Sequence, residues 1–257
     1  MQSPSPPRTN HLGQPIGIAV DHWEGAVAPT REAMKGRLCR LESLRAEKHA
    51  GALHDAYIEN RDGSNWTYLP YGPFGSAEAY RAWVEEMQDR EDTIAYAIVD
   101  ALTDLPLGVA TYLRIDAQNG SIEVGHLSYS PALQRTPLST EAMYLMMRRV
   151  FEDWGYRRYE WKCDSLNAPS VAAARRLGFR YEGTFLNQVV MKKRNRDTSW
   201  LSIIEGEWPA VRDALEGWLE PTNFGAAGRQ RRRLGDLMPE TAGVSRLQVD
   251  SFGSSGR

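Results

Sequence analysis

Two short segments carry residue types and spacings that suit the binding of an anion beside a sheet. The first runs from Leu127-Ser128-Tyr129-Ser130-Pro131 through Gln134-Arg135-Thr136-Pro137-Leu138-Ser139 into Thr140-Glu141-Ala142. It reads as a strand end, a polar loop and the first turn of a long helix. Thr136 is a good N-cap, and proline is favoured at the first helical position. A helix begun this way offers backbone N–H groups with no partner inside the helix, and its dipole favours a bound anion. Arg135 adds a fixed positive charge. The second segment is Asn167-Ala168-Pro169-Ser170, leading to Arg175-Arg176-Leu177-Gly178-Phe179. Asn167 reads equally as a helix cap and as a ligand contact, and Gly178 as the residue that ends that helix. Together the two segments predict a site for a phosphate-bearing cofactor against a sheet.

Proton chemistry needs a second set of groups. Glu123 and His126 lie on the strand that leads into the first segment, and either side chain can take a proton from an ammonium. On a regular strand they face opposite ways, so both reach one cleft only across a bulge. Glu123 is the preferred acceptor, with Glu160 and Asp164 as further candidates. The run Trp66-Thr67-Tyr68-Leu69-Pro70-Tyr71-Gly72-Pro73-Phe74 is aromatic for a loop, and reads as a ligand wall or a core plug. Neither Cys39, Cys163 nor the five histidines form a metal-ligand pattern. No Cys-His or Ser-His-Asp order suggests a covalent intermediate.

These groups need a sheet to hold them. Residue alternation predicts strands at 37–44, 94–99, 108–115, 122–130, 158–163 and 179–186. Runs at 189–193 and 199–205 flank a predicted turn at Asn195-Arg196-Asp197, and Leu105-Pro106 and Gln118-Asn119-Gly120 mark two more. Helices are predicted over 46–59, 77–89, 137–154, 168–177 and 209–219. The second carries Tyr80, Trp83, Val84 and Met87 on one stripe; the third carries Leu138, Ala142, Leu145, Met146, Val150, Phe151 and Trp154, with Gly155 as its stop. The order is that of a mixed α/β (α+β) fold around a mostly antiparallel central sheet.

The chain has 257 residues, 42% hydrophobic and 25% charged, enough for one domain with a substantial core. Residues 1–35 read as an irregular leader that wraps the domain, and 36–220 as the domain itself. Residues 221–257 are rich in Gly, Arg and Ser around Gln230-Arg231-Arg232-Arg233, and read as a largely disordered basic tail. A net charge of -2 argues against broad nucleic-acid binding. Two cysteines suit a reducing, cytoplasmic setting. No apolar run reaches the length of a membrane span, and Met1 to Pro7 is not a secretory signal. A homodimer is left open.

The ordered set of motifs resembles the GCN5-related N-acetyltransferase (GNAT) family. Within it the set is similar to the RimJ/RimL branch, which acetylates N-termini and related small amines. The family's cofactor loop has the form Gln/Arg-x-x-Gly-x-Gly/Ala, followed by a helix with Thr-Glu-Ala; here it reads Gln134 to Ala142. Glu123-Val124-Gly125-His126, Asn167-Ala168-Pro169-Ser170, Leu177-Gly178-Phe179, Glu182-Gly183, Arg196-Asp197 with Trp200, and Glu207-Trp208 also match in order. Pro137 and Ser139 replace the usual small glycines, and Ala174 stands where many members carry a tyrosine. The resemblance implies splayed middle strands, parting near Ser128 and Tyr129, with flanking helices. It implies acetyl-CoA as co-substrate, no metal, and direct attack by a primary amine without an acyl-enzyme. The acceptor is a protein N-terminus or a small-molecule amine. Leu127, Ser128, Tyr129, Gln134, Arg135, Thr136, Ser139, Thr140, Asn167 and Ser170 would hold the cofactor. Ser170 would protonate the leaving thiolate and Glu123 would take the amine proton. Trp66, Tyr68, Tyr71 and Phe74 would wall the acceptor site. Two other readings compete. Pro137 and Ala174 suit a non-catalytic acyl-CoA-binding or regulatory protein, and Arg231-Arg232-Arg233 suits a nucleic-acid-associated one.

Overall fold

The computed structural model describes residues 8–58, 62–226 and 228–239. In chain order the elements are β1 (Arg8–Thr9), β2 (Pro15–Ile16), β3 (Met34–Lys35), β4 (Cys39–Ser43), α1 (Ala46–Ile58), α2 (Ala77–Asp89), β5 (Thr93–Asp100) and β6 (Pro106–Asp116). There follow β7 (Ser121–Tyr129), α3 (Pro137–Arg148), β8 (Arg158–Asp164), α4 (Ala168–Arg176), β9 (Arg180–Met191), β10 (Arg194–Ile204) and α5 (Trp208–Leu219). β1 and β2 form a small ribbon; the other strands make one sheet in the order β3-β4-β5-β6-β7-β8-β10-β9. Its pairs are antiparallel except β7 with β8, which run parallel. Among the described residues no helix is long and apolar enough to cross a membrane.

Strand alternation divides the core in two. Ile94, Tyr96, Ile98, Ala110, Tyr112, Ile122 and Val124 point to one face and pack with α3 and α5. Ala95, Ala97, Val99 and Val109 point to the other and pack with α1 and α2. The helices begin where their caps place them. Ser76 Oγ accepts from the Ala79 amide (3.2 Å), Thr136 Oγ1 from Ser139 (3.2 Å) and Asn167 Oδ1 from Ser170 (3.2 Å).

One buried carboxylate ties the start of α3 to the sheet. Glu141 accepts from three successive amides, those of Arg37 (3.1 Å), Leu38 (2.6 Å) and Cys39 (2.8 Å), at the entry to β4. A Cβ at Gly36 would collide with this carboxylate, so the approach needs glycine.

Three sequence expectations are corrected. The turn predicted at Asn195 to Asp197 lies inside β10; the chain reverses at Lys192 and Lys193, whose φ values are 49° and 61°. Such a two-residue turn favours Asn and Gly, so the Lys pair gave no signal. The helix predicted to Trp154 is α-helical to Arg148 and then widens into a π-helical turn, Arg149–Asp153. The tail does not detach at residue 221. Phe224 bridges to Gln230, Leu234 is buried in the main core, and Leu237 and Met238 pack on it. Spaced apolar residues outweigh a Gly/Arg-rich composition there. Residues 240–257, which complete that tail, lie outside the described residues. The leader crosses the sheet end, with Trp23 Nε1 donating to the Gln118 carbonyl (2.7 Å) and the Val27 amide to that of Trp154 (2.8 Å).

Glu141→Ala would leave three amides without an acceptor, that of Cys39 buried and those of Arg37 and Leu38 partly buried. We expect a loss on the order of 3–5 kcal/mol, read as a lower urea midpoint at constant m-value. An unchanged midpoint would show that this anchor is dispensable.

Candidate functional site

The parallel pair β7 and β8 stays in register from Ser121 opposite Arg158 to Val124 opposite Trp161, and no further. The strands therefore part at Gly125, earlier than the predicted Ser128 and Tyr129. On its other side β7 bulges. Thr111 faces Gly125 but Val109 faces Ser128, so β7 carries an extra residue there, and His126 takes φ 50°. The bulge brings Glu123 and His126 to one cleft of about 1720 Å³ that runs through the parted strands.

On the α3 face, the cleft meets Gln134, Arg135, Thr136, Ser139, Thr140, Asn167 and Ser170. Their side chains are not equally free. Thr136 Oγ1 donates to the Leu133 carbonyl (2.7 Å) while capping α3, and Ser139 Oγ donates to the Thr136 carbonyl (2.8 Å). Gln134 Nε2 donates to the Tyr129 carbonyl (2.9 Å), and Arg176 to Thr140 Oγ1 (3.1 Å). The amides of Arg135, Thr136 and Leu138 find no partner among the described residues. Pro137 has none to offer. Asn167 is spent as the cap of α4. Ser170 Oγ accepts the indole N–H of Trp161 (3.0 Å), and the serine also hydrogen-bonds the side chain of Cys163.

On the opposite face, Glu123 is buried at 3% exposure between Arg114 (2.7 Å) and Lys162 (2.9 Å), and Lys162 also meets Glu160 (2.7 Å). Burial raises the proton affinity of Glu123 against the pull of those two cations. His126 is partly buried. Its Nδ1 lies 3.2 Å from Tyr71 Oη, and its ring stacks on that of Tyr71 at 5.5 Å. Burial, helped by the charges of Arg90 and Arg114, pushes its pKa down to about 4, so the ring is neutral near pH 7.

Two sets of predicted contacts move. Ser128 is fully buried away from the cleft; its carbonyl accepts from Tyr57 Oη (2.6 Å) and its Oγ from Asn65 Nδ2 (3.2 Å). The bulge turns Ser128 toward α1, while Leu127 and Tyr129 stay on the cleft. Of the four aromatic residues expected to wall the acceptor site, Tyr68 lines the cleft, together with Thr67, Leu69 and Pro70 of the same loop. Trp66, Tyr71 and Phe74 plug the second core, with Trp66 edge-on to Tyr57 (5.2 Å) and Phe74 (5.1 Å), and Tyr71 against Trp83 (4.5 Å).

Sequence reasoning missed Trp161, Lys162, Arg114 and Thr198, and gave no site role to Arg176, Arg196 and Trp200 although its motifs include them; all seven line the cleft. The alternation of Tyr159, Trp161 and Cys163 with Glu160, Lys162 and Asp164 was a usable signal, since a central strand rarely carries charge on one whole face.

Residues 39–180 match the family described as acetyltransferase (GNAT) domain. A GCN5-related N-acetyltransferase from Brucella melitensis is 38% identical at a TM-score of 0.83, over 85% of this chain and 99% of its own. A probable acetyltransferase of the GNAT family from Chromobacterium violaceum is 41% identical at 0.71, over 77% and 98%. An acetyl transferase from Salmonella typhimurium, said to modify the N-terminal serine of a 50S ribosomal subunit protein, is 21% identical at 0.58, over 67% and 99%. At that identity it shows the fold alone. No curated protein matches the chain.

The state of His126 can be tested by pH. Its pKa is about 6.5 unfolded and about 4 folded. Between those values the unfolded chain binds more protons, so stability rises with pH. The contribution is full above the unfolded pKa and is lost as pH falls through the folded one. His126→Gln should remove on the order of 2–3 kcal/mol of that pH dependence, measured by urea unfolding across the window. An identical pH slope in the variant would mean that the ring titrates normally.

Proposed function

Because the chain belongs to the GNAT family of acetyltransferases and is an N-acetyltransferase, we propose that it moves the acetyl group of acetyl-CoA to a primary amine by direct attack. The observation that carries this reading is the parting of β7 from β8. It opens one cleft with an anion-binding helix start on one side and buried proton-accepting groups on the other.

The residues suit such a co-substrate. Three free amides at Arg135, Thr136 and Leu138 fit a pyrophosphate. Arg135, Arg176 and the arginines at 229, 231 and 233 line the same side of the cleft. When bound, acetyl-CoA supplies the activated acyl group. Bulge residues His126 and Leu127 lack register partners on both neighbouring strands, which supports their amides as donors to a developing oxyanion. Glu123 takes the ammonium proton, aided by burial. Ser170, aligned by Trp161, donates its proton to the departing sulfur. Most of the acceleration comes from holding amine and thioester together. Ser170 three residues after Asn167, with Ala174 in place of a tyrosine, supports a RimJ/RimL-like member.

Thiol release from acetyl-CoA over a panel of amine classes tests the activity. Absence of release, with acetyl-CoA bound, would favour a non-catalytic binder. Ser170→Ala leaves the α4 cap intact, because the capped group is its amide. We expect kcat to fall about 10²-fold with acetyl-CoA affinity held; unchanged constants would reduce Ser170 to a helix-start residue. Arg135→Glu should weaken acetyl-CoA binding by about 1–3 kcal/mol in calorimetry, and equal affinity would remove Arg135 from the site.

A further inference from the structure

On the face of the sheet away from α3, β10 presents Arg196, Thr198 and Trp200 to the cleft. These are alternate positions of one strand and share a face. Their polar atoms are sealed from solvent and unmatched: Arg196 Nε, Thr198 Oγ1 and Trp200 Nε1 have no hydrogen-bond partner among the described residues. Thr198 is only 1% exposed. The indole is fixed in direction, with Lys162 Nζ 3.7 Å over its ring and Phe185 stacked at 4.8 Å. Neighbouring cations are already engaged, Arg114 with Glu123 and Lys162 with Glu123 and Glu160. Arg196 has no ion pair among the described residues, although Asp164, Glu123 and Arg114 are close enough to act on its charge. Buried donors without partners are costly, and three in a row on one face call for an acceptor group from outside the chain. An arginine beside an indole N–H and a hydroxyl suits a carboxylate.

The same half of the cleft is roofed. Lys192, at the tip of the β9–β10 hairpin, donates to the carbonyls of Trp66 (2.8 Å), Tyr71 (3.0 Å) and Gly72 (2.8 Å), and Arg194 donates to that of Thr67 (2.8 Å). Tyr68 Oη reaches the Leu166 carbonyl (3.2 Å). A roof tied at these points suits a small molecule better than the N-terminus of a folded protein.

We infer that the acceptor is amino-acid-like, with its primary amine directed to Glu123 and its carboxylate seated on Arg196, Thr198 and Trp200. The inference rests on the acetyltransferase reading above and narrows its acceptor. The full chain is assayed for thiol release from acetyl-CoA with free amino acids, each paired with its α-amide and its decarboxylated amine. For the acid that turns over best, kcat/KM should exceed that of its amide by about 10²-fold or more. Arg196→Ala, checked for folding by its melting temperature, should raise the acid's KM about 10²-fold and bring the acid-to-amide ratio toward unity. Its KM for acetyl-CoA should stay within about twofold, and Arg196→Lys should restore part of the preference. Should the alanine variant fail to fold, Trp200→Phe reads the same contact, with an expected loss of about tenfold for the acid alone. Amides, decarboxylated amines or polyamines used as well as the acids would overturn the inference and leave the acetyltransferase standing. Acetyl-CoA bound in calorimetry with no amine turned over would overturn both.

Discussion

Between Ser121–Val124 and Arg158–Trp161 the sheet holds a parallel pair, and beyond it β7 and β8 separate inside the protein. Backbone groups at such an opening have lost their ladder partners, and buried N–H and C=O groups need replacements. The fold meets that demand with a polar slot instead of closing the gap. Its walls are set by parity. Tyr159, Trp161 and Cys163 of β8 face α3 and the larger core, while Glu160, Lys162 and Asp164 face the other way. The slot thus has an apolar flank with a helix start at its mouth, and a charged flank behind it. A group that crosses the sheet here passes from one to the other.

The charged flank is a chain of ion pairs. Arg114 and Lys162 hold Glu123, Lys162 and Arg158 hold Glu160, and Arg158 continues to Glu182 at 2.6 Å. The buried links, Lys162 with Glu123 and with Glu160, return little stability, because desolvation offsets their attraction. Removing Lys162 would take a partner from both buried carboxylates at once, so it holds this flank together. That fixes Glu123 at the apex of the slot with a raised proton affinity, which a regular hydrophobic packing of β7 against β8 would not provide. The bulge at His126 adds a neutral ring beside it, held by the stack on Tyr71. Plugging the second core with Trp66, Tyr71 and Phe74 is what makes that stack rigid.

Elements with strong local periodicity were legible in the sequence. The stripe of Tyr80, Trp83, Val84 and Met87 located α2 to the residue, and the Thr136-Pro137 cap located the start of α3. What was not legible depends on pairing between distant segments. Ser128 was misplaced because a single extra residue in β7 reverses which side chains face the cleft. The aromatic loop could not be sorted into plug or wall, since its partners Tyr57, Tyr80 and Trp83 come from two helices whose packing no local pattern encodes. Arg196 was read as part of a turn because Asn195 and Asp197 surround it, yet both side chains are bonded within the hairpin, with Asn195 Nδ2 donating to Asp197 at 3.0 Å. Its place beside Thr198 and Trp200 needs the strand register.

The departure at Pro137 shows how capping and anion binding coexist. A glycine-rich loop would leave many amides free and would also leave the helix start soft. Here Thr136 and Ser139 cap each other reciprocally, Thr136 Oγ1 taking the Ser139 amide and Ser139 Oγ donating to the Thr136 carbonyl. Pro137 presets the backbone between them at the cost of one donor. The cap occupies only the Ser139 amide, and those of Arg135, Thr136 and Leu138 have no partner among the described residues. Arg135 adopts φ 60°, a left-handed conformation that a rigid neighbour helps to hold. Glu141, one turn further on, locks that same helix start to β4 through three amides. Fewer donors held in place by two independent anchors can match more donors on a loop that must be ordered by its ligand, because the ordering entropy has been met in folding and not in binding.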